Sequence, residues 1–258
     1  MRRFIMKYAI VTGVSQGLGF DTGKFLLESG IHLIGISRTN RVTLQDIAKE
    51  NHVNYIHYAC DLSISEEVAH TLSRINNVLE ELDENDHVYV INNAAVIQPI
   101  KPSTSQTQEE LAYHYQVNVL APMHIMNTLL LKCSEQEIPF VGVNITSGSA
   151  KSPLYGWSAY CSAKASIDMY TKTIALEQEA LQTGNKIIGF NPGVMDTKMQ
   201  AEIRGTTKEE FLKVEQFIQY KHQGVLSQTE SVAEVLTDIV TDEVNITNGK
   251  IYNIHDYT

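Results

Sequence analysis

The chain has 258 residues, a formal net charge of −10 and an apolar share of 43%. That is enough for one large domain or two small ones with a sizeable core, and it argues against disorder. The acidic balance without a basic cluster argues against a nucleic-acid surface, and no apolar run reaches the roughly 18 residues of a membrane span.

At the N-terminus, Met1-Arg2-Arg3-Phe4-Ile5-Met6-Lys7 lacks the apolar core and cleavage site of a signal peptide, and Met6 is a candidate natural start. Tyr8–Thr12 reads as a short apolar strand, followed directly by Thr12-Gly13-Val14-Ser15-Gln16-Gly17-Leu18-Gly19. An amphipathic stretch with Leu18, Phe25 and Leu26 on one side runs to Gly30 as its C-cap. Strand, glycine turn and helix in that order make a dinucleotide cradle. Glycines let the backbone approach a pyrophosphate, and the helix start offers N–H groups and a positive dipole end. Cofactor contacts are therefore expected from Gly13, Ser15, Gln16, Gly17, Leu18 and Gly19.

The second strand, 31–37, ends in Ser37-Arg38-Thr39-Asn40-Arg41, and no Asp or Glu appears before Asp46. A carboxylate there would suit the ribose 2′-hydroxyl of NAD, whereas an arginine suits the 2′-phosphate of NADP. Arg38 thus favours NADP(H); the plainer alternative makes Arg38 and Arg41 loop charges. A third strand, 53–59, leads to Asp61, which can accept from the adenine amino group or help cap a helix starting near Ser63 or Ser65. That helix, 66–83, carries Val68, Leu72, Ile75, Leu79 and Leu82 at helical spacing, a core stripe.

The fourth strand, 87–91, runs into Asn92-Asn93-Ala94-Ala95, two amides and two small residues, Ala94 among them, that suit close approach of a ribose and a nicotinamide. One long helix then spans roughly 107–133. Asn118 in its middle is poor on propensity, so it is either exposed or bonded to something specific. Pro122 has no N–H to give the Asn118 carbonyl, which predicts a local distortion. A fifth strand, 140–145, passes through a small-residue loop into a helix, 157–181. Tyr160 and Lys164 project from one face of that helix, about 6 Å apart along its axis. Ser147 lies at the mouth of the strand, where open α/β sheets bind ligands. Taken alone, the plainer reading is a packed tyrosine, a solvated lysine and a capping serine. Cys161 is expected to face away from Tyr160.

A sixth strand, 186–190, a turn at 191–197, a substrate flap over 195–226, a helix at 231–241 and a strand at 250–254 complete the chain. Strands alternating with helices predict one domain, 1–258, of α/β class with a Rossmann-type doubly wound parallel sheet of about seven strands. Cys60, Cys133 and Cys161 lack framework spacing, which fits a reducing compartment such as the cytoplasm, and the nine histidines show no metal-type spacing. No metal is expected.

Thr12-Gly13-x3-Gly17-x-Gly19, Asn92-Asn93-Ala94, Asn118, Ser147, Tyr160-x3-Lys164 and Pro192-Gly193 with Thr197 resemble, in order and spacing, the short-chain dehydrogenase/reductase family over essentially the whole chain. The departures are Ala95, where glycine is usual, and Gln16, where NADP enzymes of the family often carry a basic residue. The resemblance implies an NADPH-dependent carbonyl reductase with Asn118, Ser147, Tyr160 and Lys164 as its catalytic set. Ser147 would hydrogen-bond the substrate carbonyl oxygen and Tyr160 would protonate it as NADPH reduces the carbon. The Lys164 ammonium would lower the phenol from its usual value near 10 and bind the ribose hydroxyls. Asn118 would hold a water linked to Lys164, and Asn92, Val194 and Thr197 would contact the nicotinamide half.

The stretches 144–148, 156–164 and 192–200 further resemble, within the family, reductases of aromatic α-diketones such as benzil, a group near the reductases of pterin carbonyls. Tyr155, Trp157 and Met195 are then candidates for an apolar substrate wall, with ordinary core packing as the alternative. Asn253 stands where pterin reductases such as sepiapterin reductase carry an aspartate, although Asp256 is close, so a pterin substrate is disfavoured. An epimerase or dehydratase is disfavoured by the glycine spacing, and a non-catalytic NADP(H) sensor by the intact tetrad. In the family the helices around 107–133 and 157–181 commonly pair across a two-fold, which implies a homodimer or homotetramer.

Overall fold

Seven strands, β1 (Lys7–Thr12), β2 (His32–Ser37), β3 (Tyr55–Ala59), β4 (His87–Asn92), β5 (Phe140–Ile145), β6 (Lys186–Asn191) and β7 (Ile251–Asn253), form one sheet in the computed structural model, which describes residues 5–257. The expectations for residues 1–4 lie outside the described residues. All pairings are parallel and the order is β3-β2-β1-β4-β5-β6-β7. The chain starts at the centre, winds outward to β3, then crosses back to β4. The reversal between β1 and β4 opens a crevice at the strands' carboxyl ends, where such sheets take their ligands.

The strands are near-continuous apolar runs because both faces are covered. On one face α1 (Gly17–Glu28), α2 (Val42–Glu50) and α9 (Thr229–Thr241) pack Leu26, Leu44 and Leu236 against the sheet. On the other, α3 (Ser65–Leu79), α5 (Ala121–Glu135) and α6 (Ser158–Ala180) bring Leu72, Ile125 and Ile174. The α2 helix is an addition to the predicted elements. It buries only Leu44 and Ala48, too little for a clear apolar stripe.

The long helix predicted over 107–133 is helical throughout but not continuous. A helix α4 (Gln108–Tyr115), capped by a reciprocal Thr107–Glu110 box, leads through a π-helical turn (Gln116–Leu120) into α5. In that turn the Ala121 N–H reaches back to the Gln116 carbonyl, and Pro122 has no N–H to restore the α-helical register. The distortion expected at Asn118 is thus a π-bulge. Between β6 and α9, two short helices, α7 (Lys198–Arg204) and α8 (Val214–His222), fold over the carboxyl end of the sheet. They close a third apolar cluster around Ile97, Trp157, Tyr160, Ile203, Phe211 and Phe217. The ends of this segment are joined where Met195 pairs with Ser227, with Ser227 N donating to Val194 O at 3.1 Å and Asp196 N to Ser227 O at 3.0 Å. Among the described residues no helix is long and apolar enough to cross a membrane.

Candidate active site

Ser147, Tyr160 and Lys164 come together where β5 empties towards the first turns of α6. Tyr160 and Lys164 are only 7% and 4% exposed, so the reading of a solvated lysine fails. Lys164 Nζ donates to the Ile145 carbonyl at 2.8 Å and lies 5.7 Å from the centre of the Tyr160 ring. Ser147 Oγ accepts from the Ser149 N–H at 3.2 Å and from the Ser149 hydroxyl at 3.0 Å. A hydroxyl has two lone pairs and one proton, so Ser147 is left with its proton to give. Burial pushes Tyr160 up to about 12, with the Ser147 hydrogen bond pulling the other way. Burial also pushes Lys164 down to about 8, opposed by the charge of Asp168. The expected lowering of the phenol by Lys164 does not appear: burial raises the phenol, and the group that pulls it down is Ser147.

Asn118 is buried and its side chain is fully engaged. Its Nδ2 donates to Val96 O at 2.7 Å and meets His114 Nε2 at 2.9 Å, and its Oδ1 accepts from Val96 N at 2.9 Å. His114, one helical turn earlier, is buried with Nδ1 2.6 Å from the Gln98 carbonyl and its ring edge-on to Tyr160. Burial holds its pKa below the usual imidazole range. A neutral ring with its proton on Nδ1 satisfies both contacts, donating to Gln98 and accepting from Asn118. What Asn118 has left to offer the site is its carbonyl, to which Pro122, four residues on, has no N–H to give. Ser149 and His114 carry no sequence signal of their own; their roles appear only when the contacts are seen.

The glycine turn fits an anionic group. The helix α1 begins at Gly17 with no side-chain cap and no acidic residue in its first turn, so its N–H groups are open to an anion. Gly17 has φ +58°, and a Cβ there would reach into the gap separating it from the methyls of Thr197 and Thr229, at 3.7 and 3.9 Å. The expectation for the other two glycines needs refining. A Cβ on Gly13 would come within 2.8 Å of Asn93 Nδ2, and one on Gly19 would strike the same atom. These glycines admit the Asn93 amide, which donates to Thr12 O at 2.8 Å, while Thr12 Oγ1 accepts from the N–H groups of Asn93 and Ala94. The β1 and β4 loops are stitched together across the crevice. The buried Asn92 side chain donates to Pro122 O and Asn144 Oδ1 at 3.0 Å each.

Arg38 and Asp61 line a crevice of about 370 Å³ with Cys60, Glu67, His70 and Arg74. Asp61 Oδ1 accepts from Ser63 N and Oγ at 2.9 and 2.7 Å. Burial would raise this carboxyl, but these bonds and Arg38 hold it below the usual range. Arg41 donates to the Ser15 carbonyl and lies over the Phe20 ring, so a guanidinium stands at the glycine turn beside Gln16. On the substrate side, Trp157 is buried, stacked on Phe211 at 4.8 Å and edge-on to Tyr160 at 5.3 Å. Tyr155 is 49% exposed and Val194 37%. Met195 is not gathered with Trp157: its pairing with Ser227 turns it to the core on the α9 side. Thr197 caps α7, Cys161 Sγ turns to the Ser152 carbonyl at 3.8 Å, and Asn253 accepts from His255 N, capping the last turn.

A phenol, a buried ammonium and a hydroxyl fixed as donor, beside an anion-binding helix start, are the equipment of a nicotinamide-dependent oxidoreductase. A family model described as short chain dehydrogenase matches residues 7–208, and the chain belongs to the short-chain dehydrogenase/reductase family, oxidoreductases acting on CH–OH and C=O groups. Among curated relatives it is similar to Benzil reductase ((S)-benzoin forming) of Bacillus cereus, 34% identical over 97% of this chain and 100% of the relative. The enzyme of that name from Bacillus subtilis is 35% identical over 98% of this chain and 100% of its own length. Among solved structures, the KRED1-Pglu enzyme superposes with a TM-score of 0.80 at 22% identity, covering 95% of this chain and 100% of that one. That likeness speaks to the fold.

Proposed function

We propose that the chain is an NADPH-dependent carbonyl reductase that converts a ketone or an α-diketone such as benzil into the alcohol. The observation that carries the reading is the pair of proton donors, Ser147 with its lone pairs filled and Tyr160 held protonated, beside the buried Lys164. Similarity to two benzil reductases supports the diketone. Arg38 at the end of β2 and Arg41 at the glycine turn, with no carboxylate between them, support NADPH.

Reduced NADP, when bound, supplies the hydride. The turn of Gly13, Ser15, Gln16, Gly17, Leu18 and Gly19, braced by the Asn93 amide that Gly13 and Gly19 admit, would hold the pyrophosphate, Arg38 the 2′-phosphate and Asp61 the adenine. Asn92 through its backbone, Ala94, Val194 and Thr197 flank the nicotinamide half. Ser147 donates to the substrate oxygen as charge builds there, and Tyr160 gives that oxygen its proton. Lys164 holds the ribose hydroxyls and keeps positive charge beside the phenol. The Asn118 carbonyl holds a water leading to Lys164. Residues 195–226 act as a flap, with Tyr155 and Trp157 walling the substrate and Met195 supporting the flap's base. Free Cys60, Cys133 and Cys161 support a cytoplasmic setting, and exposed apolar residues on α5 and α6 support a homodimer or homotetramer.

The test is oxidation of NADPH, with NADH alongside, in the presence of benzil. Rapid oxidation of NADPH alone with one benzoin enantiomer formed is expected. Turnover of other ketones but not benzil would discard the diketone, and a preference for NADH would overturn the role of the arginines.

A further inference from the structure

Three consecutive residues at the end of β5 are each bonded to α6. Asn144 Nδ2 donates to Thr171 Oγ1 at 2.9 Å, the Ile145 carbonyl accepts from Lys164 Nζ at 2.8 Å, and Thr146 Oγ1 donates to Asp168 Oδ1. Asp168 is one helical turn beyond Lys164, on the same face, and the two are 7% and 4% exposed. We infer that Asp168 is a positioning residue of the site: the charge of its carboxylate keeps the buried Lys164 in its ammonium form, while the bond it accepts from Thr146, beside Ser147, holds α6 in register with the end of β5.

A buried charge needs a counter-charge, and a neutral carbonyl cannot serve as one. The titratable groups facing Lys164 are Tyr160 and Asp168 on α6 and His114 on α4, while β5 offers the Ile145 carbonyl. Tyr160 is held protonated and His114 neutral, so Asp168 supplies the negative charge. Burial drives Lys164 to shed its proton and Asp168 opposes this. A lysine that loses such a partner gives up its proton at lower pH.

The role of Asp168 towards Lys164 is independent of any cofactor; only its consequence for turnover rests on the reading under Proposed function. The experiment is NMR titration of isotope-labelled lysine side chains in the ligand-free protein, with Lys164 assigned by Lys164→Arg. The wild-type midpoint is expected near 8. Asp168→Asn, which still accepts from Thr146, should lower it by about one pH unit. Thr146→Val, which leaves the charge, should leave the midpoint in place. An unmoved midpoint in Asp168→Asn, or an equal fall in both variants, would overturn the inference; Asp168→Ser serves if the Asn variant does not fold. The alkaline limb of kcat/KM should move with the midpoint. A midpoint that falls while the limb stays would refute the catalytic role given to Lys164 and leave the assignment of Asp168 standing.

Discussion

Each reactive group at the centre of the site is left with one thing to do. Ser149 fills the lone pairs of Ser147, so that hydroxyl donates; burial holds Tyr160 protonated, so in the direction of reduction it donates too. Lys164 bonds the Ile145 carbonyl and lies 5.7 Å from the centre of the Tyr160 ring, and the cost of burying a phenolate keeps the phenol's pKa high. Removing the phenolic hydroxyl should therefore remove proton donation and little else. Tyr160→Phe is expected to lower kcat by about 10²- to 10⁴-fold, with an NADPH dissociation constant, measured by fluorescence titration, close to that of the wild type. Near-normal turnover in that variant would mean that another group protonates the product. The pair Tyr160 and Lys164 was legible from sequence because a helix fixes how residues four apart are related. The polar groups that restrict them were not, because Ser149, His114 and Asp168 act through contacts their own neighbourhoods do not encode.

Among the elements, the packing of the β5–α6 loop against the flap decides how the substrate side is closed. Gly156 sits at φ +85°, and a Cβ there would strike the carbonyl of Glu210, in the stretch between α7 and α8. Beside it, Trp157 stacks on Phe211, the residue after Glu210. Gly156→Ala combines left-handed strain with a steric block, and the flap must lift for the chain to fold. A loss of about 1–3 kcal/mol in urea unfolding is expected, together with a raised KM and a smaller change in kcat. A variant as stable as the wild type with unchanged KM would show that the loop and flap do not depend on this contact. The bulge at Asn118 was readable in advance because an asparagine and a proline four residues apart violate helix propensity together. For Met195 the sequence left substrate wall and core packing open. Its pairing with Ser227, 32 positions away in the chain, is a feature of the flap's base that no local pattern announces.

At the scale of the molecule, the winding of the sheet explains why the site is internal to one chain while part of the surface stays apolar. The β1–β4 reversal, the glycine turn and the end of β5 all belong to one sheet, so a second copy is not needed to complete the crevice. Yet Leu120, at the end of the π-helical turn, and Leu131 on α5 are exposed, at 54% and 61%, and α6 exposes Met169 and Leu176, at 64% and 66%. Spacings of eleven and seven residues keep each pair near one helix face. The two helices are bound together by Tyr170, whose hydroxyl donates to Asn127 Oδ1 at 2.7 Å. Apolar residues scattered singly need no partner, but exposed apolar pairs on two helices joined in this way offer a surface that a copy of the same chain can cover. Across a two-fold, residues near the axis face their own copies, so a charge introduced there opposes itself. Wild-type protein is expected to sediment as a dimer or tetramer. Met169→Lys combined with Leu176→Lys should reduce the mass towards the monomer while the far-ultraviolet circular dichroism stays that of the folded chain. A wild type that sediments as a monomer, or a double variant that keeps its mass, would place any association elsewhere on the surface.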